Sequence, residues 1–140
     1  MNVLTPSPGI LEVFQFVMFM FKSIITVILL HELGHILMII LFNIVYRRGI
    51  FNFKLKLTLT SVEVINKTFP NPWANILIAC FGTINPFIFS FVFYSLYSNN
   101  FWGVTMFLSI LSIYNIFPFA PDGNIINYNL KKLEEVRRSK

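Results

Sequence analysis

The residues best suited to chemistry lie within an apolar segment and read His31-Glu32-Leu33-Gly34-His35. On a helix, positions i and i+4 share a face, so the imidazoles of His31 and His35 can bind one zinc ion. Glu32 can then act as a general base on the water that zinc activates. These are the only two histidines in the sequence. The alternative is a histidine pair that packs helices together, which is disfavoured because ionisable groups inside an apolar span are costly.

A catalytic zinc site usually has three protein ligands and a water molecule, so a third ligand is expected. The sequence has a single aspartate, Asp122, in an apolar stretch interrupted by helix-breaking residues. The glutamates other than Glu32 lie on the outer part of the first helix or in charged, water-facing segments: Glu12, Glu63, Glu134 and Glu135. A Pro-Asp-Gly triplet is also common in simple turns. Because a histidine pair is present, we interpret Asp122 as the better candidate for the third ligand.

The composition indicates a membrane protein that forms one domain, residues 1–140. Hydrophobic residues make up 56% of the chain and charged residues 12%, against roughly 25% charged in average soluble domains. One cysteine, Cys80, excludes an internal disulfide and a cysteine-based zinc cluster. The net charge is +5, but the basic residues flank apolar runs, which is typical of membrane topology signals. We therefore expect a surrounding lipid bilayer and no nucleic-acid partner.

The predicted fold class is an all-α membrane protein with three transmembrane helices. Three apolar segments are long enough to cross a bilayer, at about 13–45, 73–97 and 101–120. Residues 1–9 are predicted to be irregular, so the first helix begins near residue 13. Residues 116–123 are predicted to run irregularly at membrane depth, where such backbone must be buried in protein or line a polar cavity. The tail, 124–140, is basic and helix-prone.

A cytoplasmic β section is predicted between the first two spans, at about 51–65. Residues 51–60 alternate strictly between apolar and polar, which indicates a strand with one apolar face. The alternation shifts by one residue at Ser61, and a turn or bulge there would make a hairpin. The strand could pair its edge with an extended substrate or simply shield the cytoplasmic mouth of the protein. The sequence leaves both roles open.

Basic residues predict the orientation of the chain in the membrane. Ten of the eleven lysines and arginines lie in 46–72 and in the C-terminal tail. Basic residues favour the cytoplasmic side, so both sections are predicted to face the cytoplasm, with the N-terminus and 98–100 outside. Richness in Phe, Ile, Asn and Lys is typical of an AT-rich prokaryotic genome. The expected location is therefore a prokaryotic cell membrane.

The end of the third apolar segment resembles a known motif. It reads Asn115-Ile116-Phe117-Pro118-Phe119-Ala120-Pro121-Asp122-Gly123. With the His-Glu-x-x-His motif two helices earlier, it resembles the site-2 protease family of intramembrane zinc metalloproteases, over about residues 20–130. That family has a three-helix core whose first helix carries the histidines and the glutamate and whose third carries the aspartate. The interval from Asn115 to Asp122 is one residue shorter than the usual pattern.

The resemblance implies a ligand set and an activity. It implies that His31, His35 and Asp122 bind one Zn²⁺ per chain and that Glu32 is the base. The family's middle helix often has a glycine-containing stretch that ends in Asn, which Gly82-Thr83-Ile84-Asn85 matches in part. Asn85 would then donate to the scissile carbonyl or its oxyanion, or alternatively help helices to associate. The implied activity is hydrolysis of a peptide bond in or near a transmembrane segment of a membrane protein or peptide.

Three other functions are weighed against this one. Another class of membrane metalloprotease would use a glutamate as third ligand, but no further glutamate is well placed within a span. A metal transporter would need polar residues along a whole pathway, and the chain has one cluster. The main alternative is a catalytically inactive zinc-binding membrane scaffold or regulator. Glu32 argues against it, because a scaffold needs no general base.

Overall fold

The computed structural model describes residues 8–57 and 62–139. The described chain is mostly helical, with a small two-stranded antiparallel sheet after the first helix. Before the last helix the chain forms a 3-10 helix over Leu111–Ile116. The elements are, in order, α1 (Pro8–Val45), β1 (Phe53–Leu57), β2 (Val62–Asn66), α2 (Pro72–Tyr97), α3 (Asn100–Ile110) and α4 (Pro121–Arg138).

The helices account for two or three membrane spans. Within the described residues, Gly9–Val45 and Pro72–Tyr97 are each long and apolar enough to cross a bilayer. A third span exists if Asn100–Ile116 and Pro121–Arg138, which meet at a bend of 42°, count as one. The prediction of a mainly helical chain with apolar helices long enough to span a membrane is therefore confirmed, and such candidate spans number two or three among the described residues.

Helix α1 begins at Pro8, about five residues before the predicted start. Proline is tolerated in the first turn of a helix, because its missing N–H would have no intrahelical partner there. The prediction that Pro8 and Gly9 belong to an irregular leader was therefore wrong; residues 1–7 lie outside the described part of the chain. The 38 residues of α1 extend over roughly 57 Å, which exceeds the roughly 30 Å hydrocarbon core.

Asparagines and prolines set the starts of the later helices. The Asn71 side chain accepts a hydrogen bond from the Trp73 amide at the start of α2, and Asn99 does the same for α3 through the Phe101 amide. Pro121 occupies the first turn of α4 and so starts a helix instead of breaking one. The irregular stretch predicted at 116–123 is accordingly confined to 117–120.

The two strands form the hairpin that the alternating pattern suggested. Their register pairs Leu55 with Val64 and Lys56 with Glu63, and the Lys56 Nζ lies 3.4 Å from the Glu63 carboxylate. Residues 58–61, including the predicted shift at Ser61, lie outside the described residues. Phe53 and Val64 pack against a small apolar cluster formed by Ile39, Phe69, Ala74 and Ile78. The hairpin is therefore held against α1 and the start of α2.

The interior of the described chain is unusually polar. Few large apolar side chains are fully buried, whereas many leucines, isoleucines and phenylalanines are exposed. Small or polar side chains are typical of helix contacts in lipid, where apolar side chains gain nothing by leaving the membrane. The buried polar or charged side chains are Ser23, Asn43, Asn75, Thr83, Asn85, Ser90, Thr105, Ser109, Ser112, Asp122 and Asn129.

Candidate metal centre

Two glycines bring α1 and α2 together at the histidine motif. A Cβ at Gly34 would lie 2.7 Å from the Asn85 Cβ and 2.8 Å from the Phe81 carbonyl oxygen. A Cβ at Gly82 would overlap the imidazole ring of His35 and lie 2.6 Å from its Nδ1. All three distances are shorter than any ordinary contact, so only glycine permits this approach at either position. The backbone of α2 therefore forms one wall of the site.

The structure brings His31, His35 and Asp122 together. The two histidine Nε2 atoms are 3.1 Å apart. The His31 Nε2 lies 3.1 Å from one oxygen of Asp122, and the His35 Nε2 lies 3.4 Å from the other. All three side chains are largely buried, with 9–13% of their surface exposed. The one-residue-shorter interval before Asp122 does not keep its carboxylate away from the histidines.

Glu32 borders the same cluster. One potential ligand atom from each of His31, Glu32 and His35 lies within 4.8 Å of the others, so this group could hold a metal ion. The Asp122 oxygens lie 3.1 and 3.4 Å from the two imidazoles, so Asp122 is a second carboxylate close enough to share this group. The Glu32 carboxylate also interacts with the backbone amide of Val64 in β2. The hairpin therefore contacts the residue that we interpret as the base.

Two neighbours constrain Asp122 in the first turn of α4. The Thr83 hydroxyl of α2 lies 3.4 Å from the Asp122 carboxylate, within hydrogen-bonding range. Gly123 packs directly on the non-helical segment before α4, because a Cβ there would overlap the Phe117 carbonyl. Sequence reasoning missed both contacts. A threonine in an apolar helix gives no signal of which distant residue its hydroxyl meets.

Asn85 packs against Gly34, between the two histidines in the sequence, but its side-chain amide binds the backbone of α1. Its Nδ2 donates to the Leu30 carbonyl oxygen at 2.6 Å, and the residue is fully buried. Its Oδ1 has no hydrogen-bond partner among the described residues. The bond to α1 is the kind expected of a polar residue that joins helices. The predicted donation to a substrate carbonyl stays a prediction.

Two cavities, each of about 490 Å³, flank the cluster. One contains His31, Glu32 and the buried hydroxyl of Ser112. The other is lined by apolar side chains and by several asparagines of α2, β2 and α4. Both cavities share five residues: His35, Val64, Ile65, Asp122 and Ile125. The strand that borders the site is therefore β2, and no described side chain of β1 is among the lining residues.

The His35 ring is oriented by a contact at Nδ1, the ring nitrogen that faces away from the cluster. Its Nδ1 lies 3.0 Å from the Ile78 carbonyl oxygen of α2. A backbone carbonyl can only accept, so Nδ1 carries a proton, and in the neutral imidazole Nε2 then presents its lone pair to the cluster. Histidines that ligate metals are commonly oriented in this way.

In comparisons with known proteins, no family model, no curated protein and no solved structure matches this chain.

Proposed function

We propose that this chain is an intramembrane zinc metalloprotease similar to the site-2 protease family. The observation that carries the proposal is the convergence of two imidazoles and one carboxylate beside Glu32, at the crossing of two apolar helices. A buried, ionisable cluster in a membrane segment is costly and is retained for function. A third group from a distant helix, in contact with both histidines, distinguishes this cluster from a simple packing pair.

The spacing of the donor atoms supports zinc. Ligand atoms at the usual zinc distances in a tetrahedral site are about 3.3–3.4 Å apart. The two histidine Nε2 atoms are 3.1 Å apart, the His31 Nε2 lies 3.1 Å from one Asp122 oxygen, and the His35 Nε2 lies 3.4 Å from the other. Two neutral nitrogens and one carboxylate oxygen are also a common catalytic donor set, with a fourth position open. His31, His35 and Asp122 would hold the ion.

The proposed reaction uses residues that border one cavity. Bound zinc would polarise the scissile carbonyl and acidify water. Glu32 takes a proton from the attacking water and later gives it to the leaving amine. The substrate lies in the cavities on either side of Asp122, next to β2, as an unwound peptide segment, because a helix hides its carbonyls in hydrogen bonds. The substrate class is a membrane protein or membrane peptide.

The test compares Glu32→Gln with Glu12→Gln, which changes an exposed glutamate on the same helix. Each protein is purified, assayed for zinc and placed in vesicles with a mixture of single-span membrane proteins. New peptide termini are then counted by mass spectrometry. We expect zinc in all proteins, cleavage by wild type and Glu12→Gln, and none by Glu32→Gln.

Three outcomes would contradict the proposal. Equal cleavage by Glu32→Gln would remove Glu32 from the reaction and end the protease assignment. Zinc binding by the wild type without any cleavage product would favour the alternative, a catalytically inactive zinc-binding scaffold or regulator. A wild-type protein that binds no zinc would contradict both functions.

A further inference from the structure

Helix α4 carries Asp122 but has little apolar anchorage of its own. The helix is interrupted at 117–120, and α4 is bent by 42° from the helical segment Asn100–Ile116 that precedes it. The buried residues of α4 are Asp122, Gly123 and Asn129, and none has a large apolar side chain. Full burial of large apolar side chains therefore does little to orient this helix. Something else must hold the Asp122 carboxylate at the histidines.

Two polar contacts join α4 to α2. The Asn75 Nδ2 donates to the Asn129 Oδ1 at 3.2 Å, and both residues are more than 90% buried. The second contact is the one between Thr83 and Asp122. Asp122 and Asn129 are seven residues apart and so share one face of α4. Because the later residue of α4 meets the earlier residue of α2, the two helices run antiparallel.

Asn75 is itself held in place by the backbone. Its Oδ1 accepts from the Phe69 amide at 2.9 Å, and its Nδ2 donates to the Phe69 carbonyl at 3.0 Å. Asn129 in turn donates its Nδ2 to the Ile125 carbonyl at 2.8 Å. A fully bonded amide pair has one geometry, which makes it a precise positional constraint.

We propose that Asn75 and Asn129 are positioning residues for the metal site. Their amide–amide hydrogen bond, roughly 10 Å along α4 from Asp122, fixes the rotation and depth of α4 on α2. With the Thr83 contact it attaches α4 at two points, so that the Asp122 carboxylate faces His31 and His35. This inference rests on the proposed zinc site but not on proteolysis.

The test uses Asn129→Leu, which keeps a similar volume and removes the acceptor. The matched control is Asn43→Leu. Asn43 is also fully buried, but it lies near the C-terminal end of α1, where its side chain donates to the carbonyl oxygen of Ile50 beyond the helix. Zinc affinity is measured by competition with a chelating dye. Hydrogen exchange of the metal-free proteins reports the protection of α4 directly.

We expect Asn129→Leu to weaken zinc affinity by roughly 10- to 100-fold, as when a group that supports a metal ligand is lost. It should also increase exchange across α4 before zinc is added. Asn43→Leu should leave both quantities near their wild-type values, even if it lowers thermal stability as much. If Asn129→Leu does not accumulate in membranes, Asn129→Ala takes its place.

Unchanged affinity and protection in the Asn129 variant would overturn the inference. An equal loss of zinc affinity in Asn43→Leu would also overturn it, since the effect would then be general destabilisation. If the wild type binds no zinc, the proposed function fails, but exchange in the metal-free proteins still shows whether Asn129 holds α4.

Discussion

Replacing Gly82 with alanine tests the closest approach of α2 to a proposed metal ligand. The new Cβ would lie 2.6 Å from the His35 Nδ1 and closer still to two other ring atoms. Comfortable contact between such atoms begins near about 3.5 Å. The Cβ is attached to the backbone of α2, which is less free to move than a side chain, so the His35 ring must shift by about 0.9 Å or more. That shift is several times the roughly 0.2 Å tolerance of a metal–ligand distance.

The expected effect is a loss of zinc affinity that exceeds the loss of stability. We expect the zinc Kd of Gly82→Ala to rise by about 100-fold or more, the upper end of the effect of losing a supporting group. That factor corresponds to about 2.8 kcal/mol of binding free energy. Overpacking costs roughly 1–3 kcal/mol of folding free energy, and the higher helix propensity of alanine offsets about 0.5–1 kcal/mol of it.

Gly9→Ala is the matched control, because Gly9 is also helical but a Cβ there would meet nothing within 4 Å. Zinc affinity is measured by dye competition, and stability by thermal unfolding of the metal-free proteins. Gly9→Ala should keep wild-type zinc affinity. If Gly82→Ala binds zinc as tightly as Gly9→Ala, the His35 ring does not lie on α2 as described, and the reasoning about the site fails.

Four further predictions follow from the same contacts. Asp122→Asn should lower zinc affinity by more than about tenfold while the protein still folds, because the side chain keeps its shape but loses the charge of a ligand. Gly123→Ala should lower it too, because the added Cβ overlaps the Phe117 carbonyl; wild-type affinity would contradict this packing. Removing zinc from the wild type with a chelator should lower the Tm, and re-adding zinc should restore it. In a Cys80→Ser background, a cysteine at Lys132 should react only from the cytoplasmic side and one at Asn99 only from outside; the reverse pattern would refute the orientation.

Sequence reasoning was most successful where the signal is local. The i, i+4 spacing of His31 and His35 places both imidazoles on one face of any helix, whatever surrounds it. The alternation after residue 51 likewise led to the hairpin, because a period of two is a property of a strand itself. The apolar composition sufficed to predict a mainly helical membrane protein.

The boundaries of the elements depended on context that a local pattern does not contain. Helix α1 started earlier than predicted and α4 began at Pro121, since proline is compatible with a first turn as well as with a break. The same triplet of proline, aspartate and glycine can form a simple turn or open a helix. Here the triplet opens a helix, with Gly123 packed against the Phe117 carbonyl.

The sequence by itself determined that one helix carries two histidines and a glutamate, and that a lone aspartate follows two helices later. Only the tertiary structure decided that these groups meet. The distance between His31 and Asp122 depends on how closely α1 approaches α2 at Gly34 and Gly82, and on how Asn129 positions α4 against α2. Those contacts join residues about fifty positions apart, and periodicity reports only which face of a helix a side chain occupies. Which partner lies opposite that face is set by the packing of the whole chain.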